Sequence, residues 1–151
     1  MVIIRFLLAT ILIGAITGCD RSQSSYDSAA EARSAGAFDR GWFPEFIPRD
    51  ARDLYEFHHI DDPWTWGSFR VSSGEWATEL RPAVEAEKIR IRRPPKGVTW
   101  PDSLVGEITT EDARRNGFDV FVHREGEGIH ERTVYVFVSL GSDMNYFHRR
   151  A

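Results

Sequence analysis

The chain has 151 residues, of which 42% are hydrophobic and 13% aromatic, and its 19 basic and 23 acidic side chains give a net charge of −4 at neutral pH. This length suits one domain, and the aromatic residues are numerous enough for a sizeable core. The mild acidity argues against general nucleic-acid binding, and the single cysteine excludes an internal disulfide.

The first residues have the pattern of a secretory signal peptide. Residues 6–16 form an uncharged run that is rich in aliphatic side chains, and Arg5 is the only charge before it. A positive start, a short apolar run and small residues at its end are typical of a cleaved leader. The run is shorter than the roughly 20 apolar residues that span a bilayer. We therefore predict a leader over residues 1–18, with an uncleaved anchor and an ordinary cleaved signal as the alternatives.

The leader ends in Ile16-Thr17-Gly18-Cys19, which resembles the lipobox of bacterial lipoproteins. The resemblance implies lipid on the Cys19 thiol, cleavage between Gly18 and Cys19, and acylation of the new amino group. It places the protein in the bacterial cell envelope, anchored to a membrane and facing the periplasm. Asp20 resembles the residue that keeps lipoproteins of enteric bacteria in the inner membrane. Other lineages use other rules, so the choice between inner and outer membrane stays open.

The next segment lacks large side chains. Residues 20–37 are rich in Ser, Ala and Gly, a composition that is typical of a flexible linker. We predict that residues 19–40 comprise the lipidated cysteine and a flexible tether, and that residues 41–151 form a single domain. The domain begins with an apolar lead in which Pro44 and Pro48 forbid a regular strand interior.

A hairpin and a helix are predicted next. Residues 53–60 and 64–72 read as two strands joined by a turn at 61–63. Ser72 and Glu75 have the spacing of a capping box, and the apolar residues that follow at helical spacing are Trp76, Leu80 and Val84. Pro82 lies within this stripe, so we expect it to kink or split the helix.

The second half of the chain reads mainly as strands. Predicted strands cover residues 88–93, 118–124, 129–140 and 144–150, with a loop at 97–108. A second capping pattern begins at Thr109, and Gly117 is the predicted stop. The predicted fold class is therefore α+β: an antiparallel sheet of five to six strands with one main helix packed on one face.

The register of the strand pair around residue 127 is predicted from burial. A three-residue turn at 126–128 would align the apolar faces of both strands and place His123 opposite Glu131. Five valines would then face one core together: Val120, Val122, Val134, Val136 and Val138.

A basic segment stands out in an otherwise acidic domain. It contains five positive charges in nine residues: Lys88, Arg90, Arg92, Arg93 and Lys96. We take Arg90, Arg92, Arg93 and Lys96 as candidate partner-binding residues for an anionic partner. The alternative is that charge merely protects an edge strand from pairing with another molecule. Trp64 and Trp66 share one strand face, either as core residues, which we expect, or as an exposed aromatic platform.

The motifs typical of nucleophilic catalysis, phosphate binding and metal binding are missing from the sequence. His58 and His59 are neighbours in a predicted strand and point to opposite faces, so they do not ligate one metal ion together. No serine lies in a nucleophile motif, and the glycines do not form a phosphate-binding loop. We therefore predict no catalytic residue, no cofactor and no metal.

The region after the leader is similar to small bacterial lipoproteins that have no assigned activity. The likeness is carried by Trp42, Pro44, Pro48, Ala51, Trp100, Pro101 and Leu104. The sequence thus favours an envelope lipoprotein of non-enzymatic binding or scaffolding type, with an envelope protein or peptidoglycan as partner. Two alternatives remain: an envelope hydrolase acting on glycan or peptide, and an immunity-type lipoprotein that blocks a toxin.

Overall fold

The computed structural model describes residues 21–59, 62–72, 75–84 and 87–150. Within these ranges lie nine strands: β1 Arg21–Ser28, β2 Arg52–His59, β3 Asp62–Arg70, β4 Arg81–Pro82, β5 Ile89–Ile91, β6 Gly106–Ile108, β7 Phe118–Glu125, β8 Arg132–Ser139 and β9 Met144–Arg150. The α-helices are α1 Ala29–Ser34 and α2 Thr110–Arg115, and 3₁₀ turns cover Glu75–Glu79, Asp102–Leu104 and Gly128–His130.

The molecule is built on an antiparallel sheet of seven strands in the order β1-β2-β3-β9-β8-β7-β4, beside a two-stranded sheet of β5 and β6. The predicted α+β class with one main helix is therefore wrong. Only two helices of six residues each occur among the described residues. The region of the expected helix forms the 3₁₀ turn Glu75–Glu79, and Pro82 lies in β4 at the sheet edge. Proline lacks the N–H that a continuing helix needs, whereas an edge strand tolerates it.

Residues 21–34 form part of the fold rather than the flexible tether that the sequence suggested. β1 pairs with β2 from Arg21 opposite His59 to Ser28 opposite Arg52. Ser28 then caps α1, because its hydroxyl accepts the backbone N–H of Glu31. Ala29 and Ala32 are completely buried, so small side chains here allow α1 to pack closely on the core.

Both faces of the large sheet are covered. The first face carries Leu54, Phe69, Val136 and Phe147 and packs against α1 and the apolar lead, residues 37–51. The second face carries Phe57, Trp66 and Phe137 and packs against the small sheet and the segment between its strands. Apolar side chains are therefore required on both sides of each central strand.

The β7–β8 register differs from the predicted one. His123 lies opposite Val134 and Phe121 opposite Val136, so the pairing is shifted by three residues. The connection runs over residues 126–131 and includes a 3₁₀ turn, with Gly126 at φ +80°. An odd shift reverses the faces of one strand. Val120 consequently lies in the second core, while Val134, Val136 and Val138 lie in the first.

Several local predictions are confirmed. The hairpin of β2 and β3 forms, and β7, β8 and β9 lie where strands were predicted. The Thr109 side chain accepts the backbone N–H of Asp112, and the Asp112 carboxylate accepts that of Thr109, which completes the capping box of α2. Gly117, the predicted stop, has φ +86°.

Candidate functional site

The basic segment is held in place by its two isoleucines. Ile89 and Ile91 in β5 are buried in the second core, and Arg90 between them is exposed, as alternation in a strand requires. β5 pairs with β6, with Arg90 opposite Glu107. Arg92 and Arg93 follow directly and are exposed. The apolar residues thus fix the backbone, and the arginines project from it.

The three arginines line a groove together with residues from the large sheet. Trp64 of β3 and Arg150 of β9 are register partners and contribute to the same groove. Its volume is about 890 Å³, and its lining comprises Trp64, Arg90, Ile91, Arg92, Arg93, Val105, Gly106, Glu107 and Arg150. We call this the arginine groove. It draws residues from four strands and the segment after β5.

Trp66 attaches the basic segment to the large sheet. Its indole Nε1 donates a hydrogen bond of 3.1 Å to the backbone oxygen of Arg92. The Trp66 ring is only 3% exposed, so this hydrogen bond lies at the boundary between the core and the groove. Trp66 is therefore a core residue, as expected, and it also fixes the position of the groove wall.

Trp64 is half-buried at the groove and rests on a buried histidine. Its ring stacks on His148 at a centroid distance of 5.1 Å, and the Arg150 guanidinium lies 5.4 Å from the Trp64 ring centre. Burial lowers the pKa of His148 to about 4, although a hydrogen bond from its Nδ1 to the Thr65 oxygen opposes this shift. At neutral pH the histidine is a neutral support for the indole.

The charges of the groove are mostly positive. Four arginines face one carboxylate, Glu107, whose oxygen is 2.7 Å from Lys88 Nζ. That hydrogen bond and the Lys88 charge lower the pKa of Glu107. Arg93 also has an ion pair of 3.4 Å with Asp102, but both side chains are exposed, and such a pair contributes little stability. The groove is thus positive on a chain with net negative charge.

Guanidinium groups and an indole suit anionic ligands. The planar guanidinium donates paired hydrogen bonds to phosphate or carboxylate oxygens. An indole offers an apolar surface together with one N–H donor. The predicted residues Arg90, Arg92 and Arg93 come together in the groove, whereas Lys96 is exposed on a turn outside its lining. Sequence reasoning missed Arg150, since only the register of β3 and β9 brings it beside Trp64.

A second polar cluster lies on the first face of the sheet. The Glu56 side chain is buried, and its Oε1 is 2.6 Å from His58 Nδ1. Burial raises the pKa of Glu56 to about 8, despite the opposing charge of Arg149. Burial and the charge of Arg149 lower the pKa of His58. At neutral pH both side chains are therefore uncharged, and the Glu56 carboxyl donates a hydrogen bond to His58.

Arg149 of β9 connects this cluster to the apolar lead. Its Nη1 donates a 2.6 Å hydrogen bond to the backbone oxygen of Gly41, and its Nε lies 3.0 Å from Glu125 Oε2. The Trp42 ring lies 5.9 Å from the His58 ring. A general acid or base must reach its substrate. Because Glu56 is 0% exposed beneath these contacts, we assign the cluster to the fold and not to binding.

Two further observations bear on the sequence predictions. Among the residues that the structure describes, no three His, Cys, Asp or Glu side chains are grouped to hold a metal ion. In the same ranges, no helix has the length and hydropathy needed to cross a membrane. Gly18 and Cys19, the predicted cleavage and lipidation residues, lie outside the described residues.

Residues 20–70 match the family model of the YbbD head domain. The match covers about a third of the chain and includes β1, α1, the apolar lead, β2 and β3. It is consistent with a bacterial envelope-associated protein. Of the groove residues it contains only Trp64. Searches of curated proteins and of solved structures found no match to the chain.

Proposed function

We propose that this chain is a lipid-anchored protein of the bacterial envelope whose domain binds an anionic partner through the arginine groove, without catalysis. The anchoring is supported by the short apolar run that ends in Gly18-Cys19 and by the family match from residue 20. Attached lipid chains stabilise membrane binding by about 0.8 kcal/mol for each buried CH₂, and two chains anchor a protein stably.

The binding function depends on one observation: arginines from separate segments converge on one groove beside an indole. Arg90 to Arg93 belong to the small sheet and its continuation, whereas Arg150 ends the last strand of the large sheet. Charge that served only to protect the edge of β5 would not require Arg150 and Trp64 at the same place. The convergence therefore favours recognition of an anionic group.

Two soluble anionic probes test this function. The lipidated full chain is held in neutral phosphatidylcholine vesicles, and binding is followed by fluorescence anisotropy. One probe is a labelled peptidoglycan fragment that carries carboxylates, and the other is a labelled short-chain phosphatidylglycerol that carries a phosphate. We expect at least one probe to bind, and binding to weaken as salt screens the charges.

Variants locate the binding at the groove. Replacing Arg90, Arg92 and Arg93 together by Gln should lower the affinity about tenfold or more, since hydrogen bonds to charged groups are lost. The matched control replaces three exposed arginines elsewhere, Arg49, Arg52 and Arg81, by Gln. It removes the same net charge and should retain binding. Failure of both probes to bind, or equal losses in both triple variants, would contradict the proposal.

A further inference from the structure

The sheet begins almost directly after the proposed lipidation residue. β1 is already paired with β2 at Arg21, two residues after Cys19, and the family match starts at residue 20. An extended chain advances at most about 3.6 Å per residue, so the Cα atoms of Cys19 and Arg21 lie within about 7 Å. A lipid on Cys19 would therefore hold the start of β1 at the membrane surface, with no spacer between them.

The arginine groove lies at the same end of the sheet as Arg21. Arg21 is opposite His59, and His59 is opposite Asp62 at the start of β3. Two residues further along β3, Trp64 is opposite Arg150 of β9. Neighbouring strands are about 4.8 Å apart, so three steps separate β1 from β9 by about 14 Å. The groove is thus near the membrane whenever the start of β1 is.

We propose that the anionic partner of the arginine groove is the phospholipid surface of the membrane that anchors the chain. This inference depends on the proposed lipid anchoring. The domain then lies with the Arg21 end of its sheet on the headgroups, and Trp64 reaches the interface between headgroups and acyl chains. Tryptophan is enriched at this depth in membrane proteins, and basic side chains are attracted to anionic headgroups.

Three acidic residues near this end of the sheet have basic partners. Glu125 in β7 is held by Arg149, and Glu131 before β8 is held by Arg124 at 2.6 Å. Glu107 in the groove is held by Lys88. These ion pairs reduce the repulsion that the carboxylates would exert on anionic lipid. The groove itself keeps a positive excess of four arginines against one carboxylate.

The test uses quenching of tryptophan fluorescence by lipids that carry bromine on their acyl chains. The lipidated full chain is reconstituted into phosphatidylcholine vesicles with or without phosphatidylglycerol, and its intact mass verifies the lipid on Cys19. We expect strong quenching with phosphatidylglycerol and loss of most of that quenching in Trp64→Phe. Trp76→Phe is the matched control, because Trp76 is also half-buried but packs in the first core, and it should retain the Trp64 signal.

A spacer variant tests the role of the short connection. Inserting about 20 Gly and Ser residues after Asp20 gives an average reach of about 25 Å and should weaken the quenching, most at high salt. Equal Trp64 quenching with and without phosphatidylglycerol, or none in either, would overturn the inference. Peptidoglycan binding without Trp64 quenching would overturn it but leave the proposed binding function intact. An intact mass without lipid would instead overturn the proposed anchoring, and this inference with it.

Discussion

The protonation of the Glu56 carboxyl is controlled by the position of this residue in the sheet. It lies on the first face, in register between Ser24 and Gly67, and donates to His58 at neutral pH. Gly67 is required beside it, since a Cβ there would lie 2.0 Å from the Phe147 ring. The ring fills the space that a side chain at residue 67 would occupy, and the complete burial of Glu56 favours its neutral form.

The titration of Glu56 should make the domain less stable at alkaline pH. Its pKa is about 8 in the folded state against 4.5 when exposed, so the folded state binds more protons between these values. Stability therefore falls as pH rises through this window, on the order of 3–5 kcal/mol in total. Glu56→Gln should reduce this fall and make the variant more stable than the parent at pH 8.

Urea unfolding followed at pH 5 to 9 measures this effect. The control Glu79→Gln alters an exposed carboxylate and should keep the parental profile. Identical pH profiles for Glu56→Gln and the parent would show that Glu56 ionises normally in the folded state.

At the scale of elements, the central strands are distinguished by burial on both faces. In β8, Val134 and Val136 face the first core, while Phe137 faces the second, and all three are 0% exposed. β1 is different, because it is an edge strand of mostly small polar residues that pairs with β2 alone among the described strands. Its stability depends on that pairing and on α1 rather than on its own apolar side chains.

Val136→Asp should unfold the domain. The new carboxylate would replace a fully buried valine in the first core, and an unpaired buried charge costs several kcal/mol against a typical stability of about 5–15 kcal/mol. We expect loss of the cooperative thermal transition in circular dichroism. Ile129→Asp introduces the same charge at a residue that is 96% exposed and should melt like the parent. A normal melting temperature for Val136→Asp would refute the assigned face of β8.

Sequence patterns predicted the elements better than their arrangement. Alternation identified β2, β3 and β7 to β9, and the spacing of Thr109 and Asp112 located α2. The β7–β8 register was missed because both faces are apolar, so burial alone did not choose between pairings. β1 was missed because a serine-rich edge strand has the composition of a linker. For the groove, the arginines were found from local charge, but Trp64 and Arg150 required tertiary pairing.

At the scale of the whole molecule, one sheet joins the candidate anchor to the candidate binding surface. The start of β1 and the arginine groove lie at the same end of the large sheet. Within the described residues, the sheet therefore begins at Arg21 and connects that end of the chain directly to the groove.

Anchoring itself is tested at Cys19. Cys19→Ser should abolish incorporation of a fatty-acid analogue and leave the precursor at its full mass, because the proposed acceptor thiol is gone. Metabolic labelling followed by mass spectrometry measures both effects. Ser22→Ala, three residues later, keeps the thiol and should label like the parent. Equal labelling of the parent and Cys19→Ser would exclude lipid on this residue.

The pairing of β1 also determines how the domain responds to mechanical load. Tension on the chain ahead of Arg21, directed along the strand, pulls β1 lengthwise past β2. The seven register pairs between Arg21–His59 and Ser28–Arg52 are then loaded together in shear. Peeling β1 sideways would break them one after another at lower force. A pull on the chain ahead of Arg21 is therefore resisted by the whole strand at once.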